Sequence, residues 1–80
     1  MDIKEKVRAF VTTNFYVADP SALADDASLL DRGIIDSTGV LEIIMFLEET
    51  FGLTVLDSEM VPENLDSIDS IAAYVTRKHA

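Results

Sequence analysis

Apolar residues recur at helical spacing in three stretches of this chain, and the stretches between them are broken by Pro, Gly and paired acids. Over residues 2–15, Ile3, Val7, Phe10, Val11 and Asn14 share one face, with Lys4, Lys6 and Arg8 away from it. That period predicts an amphipathic helix. The clearest pattern covers residues 37–51, where Val40, Ile44, Leu47 and Phe51 form a narrow stripe flanked by Ile43 and Leu41. Leu47 sits at its centre and is expected in the core. Asp36 is suited to cap the start of this helix, and Gly52 to end it. Fifteen residues make a helix about 22 Å long. A third helix is expected from Ser67, a good N-cap, with Ile68, Ile71, Ala72 and Val75 buried and Tyr74 at the flank. Arg77, Lys78 and His79 then fall where the helix dipole favours positive charge.

The intervening segments are less regular. Residues 17–36 contain Pro20, the Asp25-Asp26 pair and Gly33, so no long element is expected there. A connection of this length is unusual in a compact domain. It does bring its own apolar residues to bury, namely Leu23, Leu29, Leu30, Ile34 and Ile35, and Ser21 to Ala24 suits one short helical turn. Residues 53–61 read as a second connector, with room for a turn over 57–61. Pro62 suits the first position of a short helix running to Leu65. The expected architecture is all-α: a four-helix bundle of three main helices and one short one, with a long loop between the first two. Residues 1–80 are expected to form a single domain.

Composition narrows the function classes. Fifteen acidic residues face six basic ones, for a net charge of −9. Nucleic acid and anionic membranes are disfavoured partners, whereas basic protein surfaces are favoured ones. There is no cysteine, hence no disulfide and no thiolate of the chain's own. No apolar run reaches the ~20 residues of a membrane span. The first residues, Met1-Asp2-Ile3-Lys4-Glu5-Lys6, lack the apolar segment of a signal peptide. A cytoplasmic monomer is expected.

The chain offers little for catalysis. An EF-hand loop needs glycine at its sixth position and Glu at its twelfth. Neither Gly33, Gly39 nor Gly52 has the acids around it that this requires. Zinc would lack ligands, with a single His and no Cys. A serine nucleophile needs a base, and the only histidine is His79, expected as a frayed tail residue. Ser37 stands apart because of its place. At a helix N-terminus a phosphate attached to it would face unpaired N–H groups and the positive end of the dipole. On position alone an ordinary capped helix start is the stronger account of Asp36-Ser37, since Asp36 is a standard N-cap.

The wider pattern around Ser37 resembles the acyl carrier proteins and peptidyl carrier proteins. The residues that carry this likeness are Gly33-Ile34-Ile35-Asp36-Ser37, Glu42, Leu47-Glu48-Glu49 and Phe51-Gly52. Pro62-Glu63-Asn64-Leu65-Asp66-Ser67-Ile68 and Ile71-Ala72-Ala73-Tyr74-Val75 continue it, and Ala27-Ser28-Leu29-Leu30 fits the loop before the serine. The resemblance implies a non-catalytic carrier with 4'-phosphopantetheine joined to Ser37 through a phosphodiester, its thiol holding an acyl or aminoacyl group. It implies that Asp36 helps a phosphopantetheinyl transferase place its metal ion and coenzyme A. Thr38-Gly39 stands where many fatty-acid carriers have Leu and an acid, and Thr50 where an acid is common. These differences are similar to those of a stand-alone carrier in a specialised pathway, loaded by an adenylating ligase and serving acyl-transferring enzymes. An unmodified acidic docking domain is the alternative.

On the helical wheel, Thr38, Glu42, Met45 and Glu49 lie opposite the buried stripe, with Phe46 beside them, and the set begins next to Ser37. Such a face is expected to dock partners with basic surfaces. For Phe46, packing on the long loop is an equal alternative.

Overall fold

The computed structural model describes residues 2–79. Helix α1 spans Ile3–Asn14, α2 Ser37–Phe51, α3 Pro62–Leu65 and α4 Ile68–His79, with single 3₁₀ turns at Pro20–Ala22 and Asp57–Glu59. The described residues contain no strand. This is the expected four-helix arrangement.

Local chemistry sets the helix ends. The Glu5 N–H donates to Asp2 Oδ1 at 3.0 Å, so Asp2 caps α1 rather than belonging to it, and Phe15 closes its other end. Gly52 terminates α2 in the left-handed region, at φ 66°, where a side chain would be strained. Pro62 occupies the first turn of α3. The Ser70 N–H donates to Ser67 Oγ at 3.0 Å, which makes Ser67 the cap of α4. Arg77, Lys78 and His79 occupy its last turn.

One core joins all four helices. Val7 and Val11 come from α1, Ile43, Ile44 and Leu47 from α2, Leu65 from α3, and Ile68, Ile71, Tyr74 and Val75 from α4. Leu47 is fully buried, as expected. The buried face of α2 is turned toward Gly39 and Ile43, because the Phe10 and Phe15 rings of the α1 end lie on that side. Leu41 is therefore 56% exposed and not a flank of the stripe. Tyr74 is 1% exposed and central, not flanking. Asn14 is exposed, its side-chain N–H donating to the Phe10 carbonyl at 3.0 Å. His79 is not frayed: it ends α4, with Nε2 3.0 Å from the Phe51 carbonyl oxygen.

The long connection between α1 and α2 is fastened at two places. Arg8 donates to the Leu23 carbonyl at 2.7 Å, to the Pro20 carbonyl at 3.3 Å and to the Asp25 carboxylate. Asp25 in turn accepts the Asp69 N–H through its own carbonyl, at 2.9 Å. Lys4 bridges Asp69 at 2.7 Å and Asp25 at 3.6 Å. The hydrogen bond from Arg8 holds the Asp25 carboxyl below its ordinary range, and the Asp69 carboxylate raises Lys4. The second fastening is Asp66, whose carbonyl accepts Leu29 N–H at 2.7 Å and whose carboxylate accepts from Leu30 N–H and the Ser28 hydroxyl. Between these points Leu23, Leu29 and Ile35 are buried and Ile34 is half-buried. Leu30 departs from the sequence expectation, at 38% exposed, because its backbone is held outward on Asp66.

The second connection is held by Glu59. Its Oε1 accepts from Leu56 N–H at 3.0 Å, Tyr74 O–H at 3.0 Å and Lys78 Nζ at 2.9 Å. These donors, the Leu56 amide foremost, stabilise the carboxylate and lower its pKa.

Candidate functional site

The site is the N-terminal end of α2. Asp36 has extended backbone, and its Oδ1 accepts the Gly39 N–H at 2.9 Å. That bond fixes the first turn and leaves Ser37 as the first helical residue. Ser37 is exposed, and among the described residues nothing bonds its hydroxyl. Gly39 is buried directly behind it. A Cβ there would lie 3.1 Å from Ile35 Cβ and 3.1 Å from Phe15 Cε1, so glycine lets the end of α1 close on the start of α2. From the other side, Leu29 accepts the N–H groups of Ile34 and Ile35 at 2.9 and 3.3 Å. Gly33 makes the preceding turn at φ 70°. The serine thus stands on a rigid mount while its own oxygen stays open.

A base would have to reach Ser37 Oγ to activate it. The one histidine sits beside Phe51, at the opposite end of α2, about 21 Å along the helix. The groups with shifted pKa values, Lys4, Asp25, Glu59 and Tyr74, all serve the two connections and not this end. Among the described residues no group of three or more His, Asp or Glu converges as a metal site.

An incoming phosphodiester fits this position. The free hydroxyl, the exposed helix start and its aligned N–H groups favour an anion there. Beside Ser37 runs a mostly apolar groove of about 250 Å³ between α2 and α3, lined by Leu30, Val40, Met60, Val61 and Leu65. Ser37 itself stands at its edge.

The proposed docking residues are only partly as expected. Thr38, Glu42, Met45 and Glu49 are exposed on one side of α2, and Met45 is 58% exposed. Phe46 is half-buried and packs on α1, not on the long loop, its ring stacked 4.1 Å from that of Phe10. The exposed apolar area on α2 comes from Met45 and Leu41 instead, and Leu41 escaped the wheel argument. Asp66, known from the sequence only as part of the family likeness, and Phe15, which no sequence signal marked, also position this end.

Comparison with known proteins agrees with this geometry. The profile of the family described as "Phosphopantetheine attachment site" matches residues 5–75. The acyl carrier protein of Campylobacter hominis is 37% identical over 75 residues, 94% of this chain and 91% of that protein. The acyl carrier protein of Thermosynechococcus vestitus is 34% identical over 79 residues, covering 99% and 94%. The D-alanyl carrier protein of Streptococcus suis is 33% identical over 75 residues, covering 94% and 92%.

Proposed function

The chain belongs to the phosphopantetheine-attachment family of carrier proteins, and from that premise we propose that Ser37 is the residue that bears the 4'-phosphopantetheine arm. The observation that carries this is an exposed, unbonded serine hydroxyl held at the first position of a capped helix. When bound, the arm supplies a terminal thiol on which an acyl or aminoacyl group is held as a thioester. Asp36 commits one carboxylate oxygen to the Gly39 N–H, and among the described residues no hydrogen bond engages the other. That second oxygen is available to a transferase's metal ion.

The protein works as a non-catalytic shuttle that raises the effective concentration of its cargo at partner sites. Relatives of similar identity are named both acyl and D-alanyl carriers, which makes both cargo classes candidates for this chain. Thr38-Gly39 and Thr50 favour a specialised pathway with a dedicated adenylating ligase. Glu42 and Glu49, with Met45 between them, form the α2 docking face for basic partner surfaces, an apolar centre with a charged rim.

Incubation with coenzyme A and a phosphopantetheinyl transferase, followed by intact-mass measurement, tests the reading. Wild-type protein should gain one arm and Ser37→Ala none. Glu42→Lys with Glu49→Lys should be loaded more slowly with its circular dichroism unchanged. A chain that takes up nothing would instead fit an unmodified acidic docking domain.

A further inference from the structure

Five of the six cationic side chains have partners on this chain. Lys4 and Arg8 meet Asp25 or Asp69, Lys78 meets Glu59, Arg77 donates to Asn64 Oδ1 at 2.8 Å, and Lys6 lies 5.7 Å over the Phe51 ring. Arg32 is different. It is exposed, and among the described residues no ion pair or hydrogen bond engages its guanidinium. A chain with nine surplus negative charges offers many acids, so a cation left without one is unexpected.

Its surroundings are equally particular. Arg32 and Tyr16 line one groove of about 440 Å³ in the long connection, over an apolar floor that includes Val17, Leu23 and Ile34. Tyr16, at 82%, is the most exposed of the large apolar side chains. The one acid of the groove, Asp19, is turned to its own backbone, its Oδ1 accepting from the Ser21 N–H and hydroxyl at 3.2 and 2.7 Å. Gly33 and Ile34 also line the neighbouring groove that reaches Asp36 and Thr38. Through that groove, which Glu42 also lines at its far end, the cationic, aromatic patch is continuous with the Ser37 end of α2.

We propose that the Tyr16–Arg32 groove is a second docking surface, which takes a carboxylate-bearing apolar segment of the phosphopantetheinyl transferase that loads Ser37. A guanidinium fork matches a carboxylate in two parallel hydrogen bonds, and an exposed tyrosine supplies rigid apolar area with a polar tip. The polarity is opposite to that of the α2 face. An enzyme offering basic groups to Glu42 and Glu49 and an acid to Arg32 is admitted in one orientation, because reversal sets like charges against each other at both ends.

The inference rests on Ser37 being the attachment point, and the test separates the two. Loading kcat/KM is measured with coenzyme A and one transferase for wild type, Arg32→Glu, Tyr16→Ala and Arg32→Lys. Arg77→Glu, the same charge change on the far helix, serves as control, and circular dichroism verifies the fold of each. Arg32→Glu should lose at least fivefold, mostly in KM. Tyr16→Ala should lose a smaller factor, and Arg32→Lys should recover part of the loss by keeping charge without the fork. Loading of Arg32→Glu within twofold of Arg77→Glu overturns the second surface while leaving Ser37 in place. Uptake by Ser37→Ala, or none by wild type, overturns the attachment reading and this surface with it.

Discussion

Tyr74 shows how one side chain binds stability to pH. It is 1% exposed, and burial first, then the adjacent Glu59 carboxylate, pushes its phenol up to about 12. In the unfolded chain it returns to the ordinary 10. Between those values the unfolded state sheds a proton that the folded state keeps, so stability falls as pH rises, with a slope approaching ~1.4 kcal/mol per pH unit. Lys4, raised by Asp69, acts in the same sense. Glu59 and Asp25 act at the other end, since their lowered pKa values give stability that is lost as pH falls through them. Urea midpoints should therefore drop from pH 9 to 11.5 in wild type, and less steeply in Tyr74→Phe. In Tyr16→Phe, which leaves Tyr74 as the only phenol, phenolate absorbance should stay low at pH 10.5 while the dichroism is native. An early rise would mean that the hydroxyl is open to water. The same residue marks a limit of sequence reading. Ser37, Asp36 and Leu47 were legible because their signals are local: a cap, a helix start, a stripe. Glu59 with Tyr74 and Ser28 with Asp66 join residues 15 and 38 positions apart, and no spacing rule connects them.

At the scale of elements, period and punctuation located all four helices to within a residue or two, because amphipathic faces and capping chemistry act within a few residues of the chain. The rotation of α2 about its axis was less legible. A stripe of Val40, Ile44, Leu47 and Phe51 put Leu41 and Ile43 on equal flanks and Phe46 far out, whereas the face is turned toward Gly39 and Ile43 and away from Leu41. The cause is the contact with α1: Phe15 closes on the gap that Gly39 leaves, and Phe10 takes the face of Phe46. A small residue inside an otherwise apolar helix was the available clue. The long connection was the other difficulty, since its length argued against it. Its order comes from Arg8 and Asp66, which satisfy its backbone carbonyls and N–H groups from outside the segment. That is how an irregular stretch remains compact. It also explains how α2 can start abruptly, on a fixed mount, with Ser37 uncovered.

For the whole molecule the dominant fact is charge. Nine surplus negative charges sit in a body with a radius of gyration of 11.5 Å. Two unit charges ~20 Å apart in water repel by about 0.2 kcal/mol, so the surplus taken pairwise sums to several kcal/mol before screening. Unfolding relieves much of it, because an 80-residue chain expands to a radius near 28 Å. Against this stand the ion pairs of Lys4, Arg8 and Lys78. Those of Lys4 are the most exposed, at 46% for its side chain, and exposed pairs contribute about 0–1 kcal/mol each. Repulsion is the larger effect. Salt weakens both, with a Debye length falling from ~30 Å at 0.01 M to a few Å near 1 M. The net result should be stabilisation. A gain of ~1 kcal/mol moves Tm by about 4–8 °C at this size. Thermal unfolding in 0.5 M NaCl should thus lie several degrees above that in 0.01 M. Glu42→Lys with Glu49→Lys, which removes four units of the surplus, should narrow the gap and raise the low-salt Tm. The carboxylates that hold the fold back are then the same ones proposed to receive a basic partner, and binding such a partner relieves the repulsion that salt relieves. A Tm that falls with salt would show that the ion pairs outweigh the repulsion.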